Sequence, residues 1–139
     1  MPKHTLYLVT HERGQHPITG KTKPYHWSYF IQIKLEDGAN EGIAHQLHGM
    51  PGSFYYKGPE NVDLSKSGDL KEELEVGEVD GSLLDSVHEV LENVRIDSVE
   101  SSGWNCQDWA LDGFTKLKEK GFVYDHLTPE AVKNWLKET

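Results

Sequence analysis

The sequence predicts an α+β fold in which an antiparallel sheet of about five strands packs against three helices. Apolar and polar residues alternate with a period of two through the first half of the chain, and apolar residues recur at three- and four-residue spacing in the second half. Clusters of turn-forming residues separate these segments. A chain of 139 residues with 36% hydrophobic content has the usual size of one domain with one core. We therefore expect a single domain over residues 1–139.

Five segments have the alternation that is typical of strands. In the most regular of them, residues 26–35, every second residue shares a face, so Tyr29 and His26 lie on opposite faces. Long polar stretches at residues 11–24 and 58–68 are predicted to be loops. The predicted strands are residues 5–10, 26–35, 43–48, 53–57 and 70–79, the last of them an edge strand.

Three helices are predicted from apolar periodicity and from capping residues. Ser82 is the expected N-cap of the first helix. The second helix begins near Cys106 and ends at Gly121, a residue type that favours helix C-termini. Thr128 followed by Pro129 predicts the start of a short third helix.

Composition and charge disfavour several classes of function. A formal net charge of −9 repels phosphate backbones and anionic lipids, so we expect no nucleic-acid partner. No apolar run approaches the roughly 18 to 20 residues that cross a bilayer, which predicts no integral membrane segment. The single cysteine excludes an intramolecular disulfide and agrees with a reducing compartment, and the first residues do not form a signal-peptide pattern. A cytoplasmic location is the expectation.

Cys106 is the only cysteine, and it stands at a predicted helix start. The partial positive charge of a helix N-terminus favours thiolate over thiol and can make the sulfur a nucleophile. If Asn105 caps the helix, Asp108 can complete a reciprocal capping box. Backbone N–H groups around Asn105 and Cys106 are suited to stabilising an oxyanion. The alternative is a packing role, because free cysteines are among the most buried residues.

Two histidines on predicted strands, His26 and His45, are the candidate partners of this thiol. In thiol catalysis an imidazole takes the proton from sulfur and returns it to the leaving group, while a third polar group orients the ring. His48 lies three residues beyond His45 and must point to the other face, so at most one of them can join a shared site. Zinc ligation by Cys106, His26 and His45 lacks the paired spacings of zinc sites. We expect no metal and no cofactor.

The order of these residues resembles that of a known family. The segments around His26, His45 and Cys106 are similar to motifs of the lecithin:retinol acyltransferase-like proteins, which are circularly permuted NlpC-type papain-fold proteins. The resemblance implies that His26 is the catalytic histidine, His45 orients it and Cys106 is the nucleophile. Residues 107–109 replace the Glu-His-Phe of that family, and the PPPDE-type thiol peptidases share the permuted order. The chain is also similar to uncharacterised fungal proteins with His-Trp-Ser and Asn-Cys-Gln motifs.

Two functional hypotheses follow, and the sequence leaves both open. The first is a cysteine-dependent hydrolase or acyltransferase that acts on an ester, thioester or amide bond of an unidentified acyl or peptide substrate. The second is a papain-like domain that binds a partner without catalysis. The first hypothesis requires that an imidazole, expected to be His26, meets the sulfur of Cys106 in space.

Overall fold

The computed structural model describes residues 3–12, 18–20, 26–50 and 52–136. Within these residues the chain forms one five-stranded antiparallel sheet and three α-helices, which confirms the predicted α+β class. Most of the predicted loop at residues 11–24 lies outside the described residues. The strands are β1 (Lys3–His11), β2 (His26–Glu36), β3 (Ala39–His48), β4 (Tyr55–Asp63) and β5 (Leu70–Asp80). The helices are α1 (Leu84–Glu92), α2 (Cys106–Glu119) and α3 (Pro129–Leu136).

The strand order in the sheet is β4-β3-β2-β1-β5, so β2 occupies the centre. Its central position fits its composition, because β-branched and aromatic side chains favour a pleated surface that is buried on both sides. Tyr29 of β2 pairs with Leu8 of β1 and with His45 of β3. Directly opposed residues of neighbouring strands share a face of the sheet. These pairs therefore assign β1, β2 and β3 side chains to the same two faces.

Strand β4 is longer than the sequence predicts. We expected a strand at residues 53–57 and a loop from Gly58, whereas the strand continues to Asp63. Pro59 lies inside it, and a proline lacks the N–H that an interior strand must donate. The position is tolerated because β4 is the sheet edge and pairs with β3 alone. The proline therefore marks an edge strand here and not a loop.

The helix boundaries follow local capping. Asp80, and not the predicted Ser82, caps the segment before α1: its carboxylate accepts from the Ser82 N–H at 2.9 Å. A single 3-10 turn, Gly81–Leu83, then leads into α1. The predicted cap of α3 is confirmed, because Thr128 Oγ1 accepts from the Ala131 N–H at 3.1 Å. Among the described residues no helix has the length and apolar character needed to cross a membrane.

Candidate functional site

The two faces of the sheet carry different side chains, and β2 shows the division most clearly. Trp27 and Tyr29 belong to the main apolar core, which the helices cover. Phe30 belongs to a small apolar cluster with Val9 and Leu64 on the other side. We call the side of Trp27 and Tyr29 the helix face and the side of Phe30 the far face. The alternation predicted for residues 26–35 is thus confirmed at the start of the strand.

Cys106 lies on the helix face as the first residue of α2. Its side chain is 1% exposed and belongs to the same apolar core as Trp27 and Trp109. Helix α2 is anchored to the sheet one turn further on, where the Tyr29 hydroxyl donates to the Ala110 carbonyl oxygen at 2.5 Å. The thiol is therefore a buried group between the sheet and the helix.

The predicted capping box at this helix start is confirmed. The Asn105 side chain accepts from the Gln107 N–H at 2.9 Å, and Asp108 Oδ2 accepts from the Asn105 N–H at 2.9 Å. Side chains of the cap itself therefore accept from three N–H groups, those of Asn105, Gln107 and Asp108. The backbone N–H of Asn105, one of the predicted oxyanion donors, is committed to Asp108.

His45 shares the helix face with Cys106, because it pairs directly with Tyr29. It is 1% exposed, and its Nδ1 lies 2.7 Å from the Tyr56 hydroxyl oxygen. That hydroxyl also lies 2.9 Å from His88 Nδ1, and His88 Nε2 lies 3.3 Å from a carboxylate oxygen of Glu92. A chain of polar groups therefore leads from the core to the surface of α1.

The carboxylate of Glu92 gives this chain a direction. A carboxylate only accepts, so it favours the proton of His88 on Nε2, and His88 Nδ1 then accepts from the Tyr56 hydroxyl. The hydroxyl oxygen in turn accepts from His45 Nδ1–H, which leaves the lone pair of a neutral His45 on Nε2. This Nε2 is buried, and no described residue forms a hydrogen bond with it. No pattern in the sequence predicts this hydrogen-bond chain, since Tyr56 and His88 come from segments far apart.

Burial keeps His45 neutral. Desolvation, with a smaller contribution from the nearby His88, lowers its pKa from 6.5 to about 4, although Glu60 opposes the change. The pKa of Tyr56 is raised, first by desolvation and then by the charges of Glu92 and Glu60. At neutral pH His45 is therefore a neutral imidazole and Tyr56 a protonated hydroxyl, which are the forms that the hydrogen-bond chain requires.

His26 lies on the far face. Its Nε2 is 2.7 Å from Gln46 Oε1, and the Gln46 amide nitrogen donates to Glu60 at 3.1 Å. The ring of His26 also lies beside that of His11, its partner across β1 and β2, with 6.2 Å between the ring centroids. These contacts are all with far-face side chains.

The structure does not bring the three predicted site residues together. Cys106 and His45 lie on the helix face, whereas His26 lies on the far face with the sheet between it and the thiol. The reason is the parity of β2: His26 and Tyr29 are three residues apart, and Tyr29 is the one that faces α2. The expected proton transfer from Cys106 to His26, and the orientation of His26 by His45, do not correspond to this arrangement.

The residue that holds His26 is Gln46, the neighbour of His45 on β3. His48 also lies on the far face, where its Nε2 is 3.0 Å from Glu60, so His45 and His48 do point to opposite faces as predicted. The signal for Gln46 was present in the alternation of β3. Identifying Gln46 as the partner of His26 also requires the register between β2 and β3, which only the folded sheet supplies.

A cleft of about 570 Å³ opens on the far face around His26. Its volume lies within the range of about 300–1,000 Å³ that is usual for small-molecule sites. The apolar cluster of Val9, Phe30 and Leu64 forms part of its lining. Ala44, Leu47 and Val62 also line it, and most of the other lining side chains are polar. Those used below are Glu12, His11, His26, Gln46, His48, Asp63, Lys66, Ser67 and Asp69.

Hydrogen bonds hold the carboxylates of this region in their charged forms. The pKa of Asp69 is lowered chiefly by a hydrogen bond from Ser67, with His11 as a smaller cause. Burial raises the pKa of Glu60, but hydrogen bonds from His48 and Gln46 outweigh it, so the net change is downward. The cleft therefore keeps a negative charge at neutral pH.

One comparison with known proteins gives a match. A model for a family of unknown function, DUF6540, matches residues 6–124. The chain belongs to DUF6540. The part that matches contains Cys106, His45 and the cleft, and it ends before α3. No curated protein and no solved structure matches the chain, so DUF6540 membership adds no activity to the geometry.

Proposed function

We propose that the protein is a binding domain whose ligand occupies the far-face cleft. The observation that carries this proposal is the cleft itself, which combines an apolar patch with several polar side chains of defined orientation. Such a combination is the usual form of a site for a small organic ligand. His26 then acts as a binding residue that Gln46 holds in place.

The burial of the thiol favours binding over catalysis. A nucleophilic cysteine needs access to its substrate, and Cys106 is 1% exposed within an apolar core. Among the described residues, Cys106 included, none forms a hydrogen bond with His45 Nε2, so the thiol does not donate to it. Because the pKa of His45 is lowered to about 4, a thiolate–imidazolium pair at this site is disfavoured.

Backbone NMR with a library of monocyclic fragments tests the binding proposal. We expect that the fragments that bind shift the amide signals of Ser28, Gln46 and His48, which line the cleft. Ser67→Phe should obstruct the cleft and abolish these shifts, whereas Ser101→Phe, at an exposed position, should leave them unchanged. Circular dichroism checks that both variants are folded. Fragments that bind elsewhere, or not at all, would contradict the proposal.

A second candidate is the thiol hydrolase or acyltransferase that the sequence suggested, with His45 in place of His26 as the base. The specific observation in its favour is the directed chain through Tyr56 and His88, which leaves the His45 Nε2 lone pair on the same face as Cys106. In this candidate Cys106 attacks a carbonyl of an ester, thioester or amide, and His45 carries the proton to the leaving group. A permuted papain-like arrangement and a cytoplasmic location belong to the same proposal.

Thiol chemistry separates the two candidates. For a binding domain, we expect iodoacetamide to label Cys106 slowly at mildly acidic pH until urea unfolds the protein. For the enzyme, labelling is rapid and His45→Ala suppresses it, while His26→Ala has no effect. Intact-mass detection of an acyl adduct from ester, thioester or peptide-amide probes, absent in Cys106→Ala, would establish the second candidate.

A further inference from the structure

The hydrogen-bond polarity of the cleft can be deduced from its carboxylates. His11 Nδ1 lies 3.2 Å from Asp69 Oδ1, and the Ser67 hydroxyl donates to the same carboxylate at 2.8 Å. Because a carboxylate only accepts, His11 carries its proton on Nδ1. A neutral His11 ring therefore has its lone pair on Nε2.

A second network, anchored on Glu60, has the same polarity. Glu60 accepts from the amide nitrogen of Gln46, so the Gln46 oxygen faces His26 and accepts from His26 Nε2–H. Glu60 also accepts from His48 Nε2–H, which leaves the lone pair of a neutral His48 on Nδ1. The imidazoles of His11, His26 and His48 thus each direct one N–H group at a protein acceptor, and in neutral His11 and His48 the other ring nitrogen can only accept a hydrogen bond.

The charges around the cleft also favour a ligand that donates hydrogen bonds and carries positive charge. Among the described residues that line it are three acids, Glu12, Asp63 and Asp69, and one basic residue, Lys66. Glu60 adds another carboxylate behind Gln46 and His48. A ligand that brings positive charge and N–H donors complements such a surface, whereas an anion is repelled.

These acceptors are spread along the cleft and do not converge on one point. Across the described residues, no three His, Cys, Asp or Glu side chains are grouped as a metal ion would need. The side chains of Val9, Phe30 and Leu64 are themselves buried, and the partly exposed Val62, which packs against them, offers hydrocarbon surface to the cleft. The combination fits an organic cation larger than a metal ion.

We propose that the far-face cleft binds a small organic cation, a primary amine carried on an apolar body. The apolar body packs on Val62, at the surface of the far-face apolar cluster, and the ammonium group donates to the Asp69 carboxylate. This inference rests on the proposed function, because it names the chemical class of the ligand of the same cleft.

Three probes of similar shape and different charge test the proposal. They are 2-phenylethylamine, 2-phenylethanol and 3-phenylpropanoate, titrated against the full chain at low ionic strength and neutral pH, with binding measured from NMR shifts of Ser28, Gln46 and His48. We expect the amine to bind about tenfold more tightly than the alcohol, as a charge-assisted hydrogen bond supplies. The propanoate should bind least.

Asp69→Asn and Asp37→Asn form a matched pair of variants. Asp69 lines the cleft, whereas Asp37 is exposed in the turn between β2 and β3. We expect Asp69→Asn to weaken amine binding by about tenfold and to change alcohol binding by less than about twofold. Asp37→Asn should leave both affinities unchanged. Circular dichroism and the shifts of helix-face residues establish that both variants keep the fold.

The outcomes separate this inference from the proposed function. Cleft shifts of equal size with the amine and the alcohol, or tighter binding of the propanoate, overturn the cation preference while the cleft remains a binding site. No cleft shift with any of the three probes overturns the cation proposal, and the fragment screen then decides independently whether the cleft binds any ligand. Equal loss of amine binding in both Asp variants would also contradict it.

Discussion

The two faces of one sheet each carry a histidine network, and the networks differ in their access to water. On the helix face, His45, Tyr56 and His88 form a chain whose inner end is buried against the core. On the far face, His26 and Gln46 lie beside a cleft that solvent enters. The same residue type is thus a buried polar group on one face and a ligand-accessible group on the other. Burial, and not residue identity, decides what each histidine can do.

Removing a large side chain from the helix face is expected to have the largest effect on stability. Trp109 is fully buried and contacts the rings of Tyr29 and Tyr56. Trp109→Ala should lower the free energy of unfolding by about 3–5 kcal/mol, because it leaves a cavity in the core. Equilibrium unfolding in urea measures this. Trp135→Ala is the control: Trp135 is 63% exposed, and its loss should cost less than about 0.5 kcal/mol.

The next largest effect is expected in the pH dependence of stability, through the buried His45. His45 has a pKa of about 4 when folded and 6.5 as its ordinary value, so between these pH values the unfolded state binds a proton that the folded state does not. The contribution of His45 to the free energy of unfolding is therefore full above pH 6.5. It is lost as the pH decreases toward 4, which lowers the free energy of unfolding by about 3 kcal/mol. Urea unfolding of wild type and His45→Gln across this range tests it. Parallel slopes in the two proteins would contradict the assignment to His45.

A smaller effect is expected at Gly58, which leaves room for the buried chain. A Cβ at this position would lie 2.7 Å from His45 Nδ1 and 2.7 Å from the Tyr56 hydroxyl oxygen. Gly58→Ala should therefore disturb this hydrogen bond and cost about 1–3 kcal/mol in unfolding free energy. Gly68→Ala is the matched control, since no atom lies within 4 Å of its added Cβ. Equal stability of the two variants would show that the contact is readily relieved.

The smallest effect belongs to the far face. Gln46 joins His26 to Glu60, but the network is only partly buried, so water can replace the lost hydrogen bonds. Gln46→Ala should cost no more than about 1 kcal/mol in a urea titration. A cost above that of Gly58→Ala would mean that the far-face network stabilises the fold and is not mainly a binding feature.

Local patterns in the sequence account for much of the fold. The alternation of residues 26–35 predicted the central strand, and Asn105 with Asp108 predicted the capped start of α2. These features depend on residues a few positions apart, which is why they are visible without the fold. Strand β4 was underpredicted because Gly58 and Pro59 normally interrupt strands, and their tolerance depends on the edge position.

The candidate site was predictable only in its parts. Cys106 at a helix start and His45 on a strand were both found, and the same alternation already separated His26 from Tyr29. The packing of α2 on the face of Trp27 and Tyr29 was not fixed by that alternation alone, since the opposite face also buries a large aromatic residue, Phe30. The cleft was missed altogether, because its polar lining comes from β1, β2, β3, the end of β4 and the segment that follows it.

Local sequence determined where most strands and helices form, how α2 is capped and which residues of β2 share a face of the sheet. These features follow from steric and hydrogen-bonding rules between residues close together in the chain. The tertiary structure alone decided that the helices cover the face of Tyr29 and leave His26 on the other side. That decision depends on contacts between segments far apart in the chain, above all the packing of α2 on β2. It converted a predicted triad into a buried histidine chain on one face and a polar cleft on the other.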